Sequence, residues 1–468
     1  MSESKKSEPE KISRRKYLQT TGGVIAGLAV GGALGYLAKP TTMTTGTTET
    51  VTKTVTGTAP PPATTAAAEP IKFAVLSDLT GGVAAVGITM HNCAVLAVDQ
   101  INATGGIMGH PVQLIVEDTA SDITTCTEKT RKVCTLDRVN AVFGGILSSE
   151  REAIRPICDQ FQTLYSYSTF YEGGVCDQYE LTCAEVINQM HMPLSNYAFD
   201  KFGPKIYLLG TDYNAPRAIA GIVEGVFKEK GGQTVGKEFF PMETTDFSAA
   251  IARIAAAKPD GIYSNIVGAS GNIFLNQWYA KGGQKIVPNE HFINISLIES
   301  LIQGMDPKSI EGLVNAYAYF SSVDTPENKS FLDAYSKMFP GAVMPDCVGE
   351  KMYDTIWLFK KGIEAAGTYT DFRAMRNAIV QQKFQAPCGL VENDWETNHS
   401  KFPIYIGASD PSLGGRFKVL QTVPAVAPVI NGYPFKKGHD DYSKNMCTLP
   451  QVWTKDNDMT PEYFYAGV

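Results

Sequence analysis

From Ile71 onward, short runs rich in Val, Ile, Leu and aromatic residues alternate with longer stretches whose apolar positions recur at helical spacing. That alternation predicts βαβ units and parallel sheets, hence an α/β protein. IKFAVLSDL opens as a strand, and Ala94, Val95, Ala97 and Val98 then mark a helix that stops at ATGG. PVQLIVED returns as a strand, a helix runs through Lys129 to Leu136, and NAVFGG is a buried strand ending in paired glycines. The second half repeats the scheme: KIYLLG and GIYSNIVG read as strands, with helices beginning near Pro216, near Phe247 and after Gly271. About 400 residues of this kind form two lobes of repeated βαβ architecture, since no second low-complexity linker interrupts them.

The N-terminus has a different character. Arg14 and Arg15 precede an uncharged, Gly-rich apolar run from Thr20 to Ala38, the arrangement of an export signal of twin-arginine type or of a retained membrane anchor (residues 1–39). No Cys precedes Cys93, so a lipidated-cysteine anchor is not expected. Residues 40–70 are rich in Thr, Ala and Pro and read as an extended tether. The chain is therefore expected outside the cytoplasmic membrane, secreted or tethered through its N-terminal segment.

Composition narrows the partners. Of 468 residues, 44% are hydrophobic and 19% charged, with a formal net charge of -7; the chain is folded, and it lacks the basic footprint of a nucleic-acid binder. Nine cysteines cannot all pair. Cys176 and Cys183 are the first pair to test, and Cys126, Cys134 and Cys158 fall within one predicted unit. Four N-x-S/T sequons, at Asn102, Asn294, Asn328 and Asn398, fit an exported chain.

Catalytic signatures are sparse. The six histidines show no metal-ligand spacing, and CxxC, GxxxxGK[ST] and GxSxG are missing. Neither metal nor cofactor is expected. Attention therefore turns to the loops after the strands, where open α/β sheets bind their ligands. In AVFGGILSSEREAIRPICDQF, Ser149 and Glu152 form an S-x-x-E capping box ahead of an apolar stripe. The N–H groups of that helix start and the Ser148 hydroxyl suit an acceptor oxygen of a solute. YSYSTFYEGG packs aromatic rings and hydroxyls into ten residues, the lining of a site for a small polar uncharged solute, or else a strand with its rings in the core. LLGTDYNAPR brings Tyr213, and NIVGASGN brings Ala269 and Ser270, to two further strand ends.

These loops also carry a resemblance. NATGGIMG, VEDTASD, AVFGGILSSEREA, YEGG, GTDYNAPR, TDFSAAIARIAAAKPDGIYSNIVG, YFSSVDTPENKSF and FQAPCGLVENDWETNHS, taken in order, resemble the type I periplasmic binding proteins of the Leu/Ile/Val kind, and within them the short-chain amide and urea binding branch. The resemblance runs from about Ile71 to about Ile406. It implies two Rossmann-like lobes, residues 71–185 with 319–385 and residues 186–318 with 386–413, joined by three crossovers near Thr182, Tyr319 and Pro387 and closing over ligand by hinge motion. It further implies that Ser148, Tyr167, Thr169 and Tyr213 contact the ligand. Ile146 and Leu147 replace an aromatic and a threonine, which makes one wall more aliphatic, and Ala269 stands where urea binders tend to have an acid. Residues 414–468 run past the family's usual end as an aromatic, Pro-rich extension with Tyr433, Phe435, Trp453, Tyr463 and Phe464.

The expected function is capture of a small neutral solute, a short-chain amide or urea, for delivery to the permease subunits of an ABC importer. Ser148, Ser149, Thr169, Tyr213 and Ser270 would supply polar contacts, while Tyr167, Ile146, Leu147 and Ala269 shape the wall. The alternatives are a branched-chain or other small amino acid as ligand, an amide sensor for a signalling partner, an amide hydrolase and a surface-layer component.

Overall fold

The computed structural model describes residues 68–428, except 174, 176, 178, 303, 304, 395 and 396. The export segment, nearly all of the tether, Cys176 and the tail aromatics lie outside the described residues. The first half comprises β1 (Ile71–Ser77), α1 (Ala84–Ala103), β2 (Val112–Asp118), α2 (Ile123–Lys132), β3 (Ala141–Gly144), α3 (Ser148–Gln160), β4 (Leu164–Tyr167) and β5 (Glu180–Thr182). Helix α1 has the length and hydropathy of a membrane span, but it is mostly buried and serves as a core helix. It stops where the sequence places ATGG. Gly105 and Gly106 take positive φ, and a Cβ on Gly106 would lie 2.0 Å from the His110 carbonyl oxygen. Helix α2 starts earlier than the sequence pattern suggests, because Asp122 caps it, and it runs on into a π-helical segment, Val133–Asp137, that covers the expected end at Leu136.

The second half holds α4 (Ile187–Phe202), β6 (Lys205–Thr211), α5 (Asn214–Glu229), β7 (Gln233–Phe240), α6 (Ser248–Ala257), β8 (Gly261–Asn265), α7 (Gly268–Ala280), β9 (Phe292–Asn294), the short α8 (Pro307–Ile310) and β10 (Val314–Tyr317). The chain then returns to the first half with α9 (Pro326–Met338), α10 (Cys347–Ala366) and α11 (Phe372–Ile379), α9 and α10 packing on α1. A hairpin of β11 (Lys383–Ala386) and β12 (Gly389–Asp394) leads to β13 (His399–Ser409) and β14 (Phe417–Val426). Strand order is β2-β1-β3-β4-β5-β13-β10-β9-β8-β6-β7. Strands β1 to β5 pair in parallel, as do β6 to β10.

Strand β13 belongs to both halves. Its first residue, His399, pairs in parallel with Thr182 of β5, and its far end pairs antiparallel with β10, Ala408 against Val314. Pro403 sits at a register shift in the β13–β14 ladder, the position at which a strand tolerates a missing N–H. Strand β14 uses the opening of the predicted C-terminal extension, so that part of the extension is sheet.

Buried polar groups tie the passages between halves. Glu185 accepts from the Ala318 N–H at 2.6 Å, and Glu299 accepts from the backbone and hydroxyl of Ser321. Lys351, fully buried in α10, lies 2.9 Å from each of Glu350, Asp354 and the Cys388 sulfur. The sequons serve the fold: Asn294, Asn328 and Asn398 are buried, and the Asn102 side chain brackets the Val112 backbone. The seven cysteines among the described residues are unpaired and buried.

The end of β3 is the tightest junction. Gly144 has φ 111°, and a Cβ there would lie 2.0 Å from the Leu76 carbonyl oxygen of the adjacent strand. Gly144→Ala is expected to lower unfolding free energy by about 3 kcal/mol, measured by urea denaturation.

Candidate binding site at the strand ends

In the first half, three hydroxyls hold three successive carbonyls of the loop after β3. Tyr165 donates to Gly144 at 2.9 Å, Thr169 to Gly145 at 3.1 Å and Tyr167 to Ile146 at 2.8 Å. The N–H groups of the same loop are also satisfied: Ile146 and Leu147 donate to one oxygen of the Glu150 carboxylate at 2.9 and 3.0 Å. This corrects the helix start read from sequence. Helix α3 begins at Ser148 behind Leu147, and the acid that folds back on it is Glu150; Ser149 is exposed, and Glu152 pairs with Arg155. The loop is thus rigid before any solute arrives.

Tyr167 and Thr169 are buried, and their protons go to backbone rather than outward. The strand alternative for YSYS therefore describes β4, with Tyr165 and Tyr167 inside. Gly144 and Gly145 are explained by backbone conformation and close packing, since a Cβ on Gly145 would crowd Ile154 and Tyr165. Ile146 is buried and Leu147 half-buried.

Two residues that the sequence reading missed lie beside this loop. Arg151, 3% exposed, stacks its guanidinium over Tyr167 and Tyr171 at 5.0 and 4.4 Å from the ring centroids. It meets Glu172 at 3.0 Å, and the other Glu172 oxygen accepts from the Ser148 hydroxyl at 2.8 Å. A buried cation needs such a counter-charge. The available signal was the acid of YEGG, which follows the aromatic loop directly. Tyr171 in turn meets His399 Nε2 at 2.5 Å, while His399 Nδ1 lies 2.7 Å from the Thr397 carbonyl. Burial pulls His399 down to about 4, so its imidazole is neutral, donating through Nδ1 and accepting from Tyr171.

In the second half, β6 and β8 are neighbours, and the Val267 N–H donates to Thr211 Oγ1 at 3.0 Å, joining their ends. Tyr213, 40% exposed, and Ala269, exposed, stand there. Surrounding protein pushes the Tyr213 phenol up to about 12, with the Glu172 charge as second cause. Ser270 does not join this group: it is buried and donates to the Met242 carbonyl at 2.6 Å. Ser148 bonds a carboxylate, not an imidazole, so the hydrolase alternative gains no nucleophile–base pair from it.

Two α/β halves that present prebuilt loops at the carboxyl ends of their strands define a two-lobe, type I binding-protein fold. The chain belongs to the periplasmic binding protein family, whose periplasmic binding protein domain matches residues 71–438. The match thus continues beyond Ile406. A "Leu/Ile/Val-binding protein homolog 6" from Brucella melitensis is 25% identical over 221 residues, covering 47% of this chain and 56% of the relative. The chain thus spans little more than half the length of the curated relatives it matches first. Among solved structures, an ABC transporter solute-binding protein from Rhodopseudomonas palustris BisB5 in complex with 3,4-dihydroxybenzoic acid superposes with TM-score 0.66 at 22% identity, covering 76% of this chain and 98% of that one. The branched-chain amino acid transporter substrate-binding protein LivJ from Streptococcus pneumoniae, in complex with isoleucine, gives TM-score 0.64 at 21% identity and coverages of 77% and 100%.

Burial raises several acids above the ordinary carboxylate range. It pushes Glu150 up to about 7, against the backbone N–H groups that favour its charge, and the neighbouring Asp78 charge adds to the rise. Burial likewise raises Asp159 and Glu299 to about 7 and Glu180 to about 8. Unfolded carboxyls release their protons near pH 4 to 4.5, so between there and about pH 7 to 8 the native state binds more protons than the unfolded state. This contribution is full below the unfolded pKa and is lost as pH rises through the folded one. The urea midpoint is expected to be lower at about pH 8.5 than at about pH 5.5. Glu150→Gln, which keeps an acceptor but cannot titrate, should shrink that difference.

Proposed function

We propose that the protein is the extracytoplasmic solute-binding component of an ABC importer and that it captures a small neutral solute of the short-chain amide type. Charge cancellation at the strand ends carries the choice of a neutral solute. Arg151 and Glu172 neutralise each other at 3.0 Å, and the opposite half offers a phenol and a methyl group, at Tyr213 and Ala269. A fixed countercharge for an anion or cation is therefore lacking among these described residues, whereas hydroxyl and carboxylate acceptors suit N–H donors. The 3,4-dihydroxybenzoic acid and isoleucine named for the structural neighbours both carry a carboxyl group, and they set the competing ligand classes to test.

In this reading, residues 71–185 with 319–385 and residues 186–318 with 386–413 are the two bodies that close, by hinge motion, on a solute held between Ser148 and Tyr213. Export through the N-terminal segment places the receptor on the outer side of the membrane, where it presents its solute to the permease. Calorimetric titration of the purified full chain with acetamide, butyramide, urea, leucine and 4-hydroxybenzoate tests the proposal. Saturable heat is expected from a small amide; heat from leucine or 4-hydroxybenzoate alone rejects the amide assignment.

A further inference from the structure

Glu172 is anchored from behind and open in front. One oxygen is fixed by the Arg151 guanidinium at 3.0 Å, the other holds the Ser148 proton at 2.8 Å, and the side chain is 24% exposed. Each carboxylate oxygen can accept two hydrogen bonds, so both keep capacity for a further donor. Ser148 can turn its proton to another acceptor by rotation about its Cβ–Oγ bond. Ser148 opens α3 directly behind the loop after β3, Glu172 lies in the segment after β4, and the two segments are locked together by Tyr167 and Thr169, which hold carbonyls of the first. The spacing between Ser148 and Glu172 is therefore set by the sheet and not by the solute.

We propose that Ser148 and Glu172 together read a primary amide, the Ser148 hydroxyl donating to its carbonyl oxygen and the Glu172 carboxylate accepting one of its N–H groups. This inference rests on the amide reading of the site and assigns its selectivity to a residue pair. An amide presents an acceptor and a donor side by side, so inserting it exchanges the single Ser148–Glu172 bond for two. A carboxylate of the same shape has acceptors on both sides, so one of its oxygens would face the Glu172 acceptor with no proton between them. An amide without N–H groups would leave the Glu172 acceptor unpaired.

The test compares butyramide, N,N-dimethylbutyramide and butyrate by calorimetry on the full chain, as wild type, Glu172→Gln and Ser148→Ala. The wild type should prefer butyramide to butyrate, and Glu172→Gln should weaken butyramide at least tenfold, the size expected for losing a charge-assisted bond. The same variant should narrow the preference over both butyrate and the dimethyl amide. Ser148→Ala leaves the Arg151–Glu172 pair intact, so it covers the case in which Glu172→Gln impairs folding. It too should weaken butyramide, by about tenfold. Wild-type preference for butyramide that survives either variant within twofold would overturn the pair's role while sparing the amide reading. Preference of the wild type for butyrate or leucine rejects the amide reading itself, and this inference with it.

Discussion

The architecture depends on one strand being shared. Strand β13 is hydrogen-bonded at its start to β5 and along its remaining length to β10 and β14, so the two parallel sheets are edges of one hydrogen-bonded surface. A parallel sheet needs helical crossovers on its faces, which leaves the loops at the carboxyl ends of the strands as the surfaces free to vary. With β13 joining the halves, the loops after β3 and β4 and those after β6 and β8 become the candidate walls of a single site. The passages between the halves are held by buried acids on backbone N–H groups and by Lys351 among Glu350, Asp354 and Cys388. Polar groups this deeply buried are costly unless every partner is in place, which restricts how the connecting segments can rearrange.

The candidate site repeats that logic on a smaller scale. The hydroxyls that look available in the sequence are largely occupied in holding a loop: Tyr165, Thr169 and Tyr167 take the carbonyls of Gly144 to Ile146, and Glu150 takes the next two N–H groups. A loop with its own polar groups satisfied needs no ordering when a solute arrives, and little of the binding free energy goes into arranging it. In the proposed site, outward-facing chemistry then centres on a few atoms around Ser148, Glu172 and Tyr213. Arg151 matters through its position beneath the aromatic rings, where its buried charge fixes the Glu172 carboxylate at the edge of the loop.

Much of the fold was legible because hydrophobic periodicity is local. The strands at Ile71, Val112, Ala141, Lys205 and Gly261 fall where the β-branched runs stand, and helices α5 and α6 begin within two residues of the predicted starts. The departures have physical causes. Helix α3 starts two residues early because Glu150, not Glu152, reaches the backbone. Strand β14 was hidden in a segment that seemed to lie past the family's end, since an edge strand with alternate residues in solvent has no continuous apolar run.

The sequence by itself determined the α/β class, the order of strands and helices, and the placing of hydroxyl-bearing loops at strand ends, because each follows from neighbours within a few residues. Only the tertiary structure decided where each hydroxyl points. Ser270 turns to Met242, Thr169 to Gly145 and Ser148 to Glu172, choices made among groups 24 to 28 residues apart in the chain. A hydrogen bond forms with whatever partner the sheet brings within about 3 Å, and that partner is set by strand pairing over long separations, which local pattern does not encode.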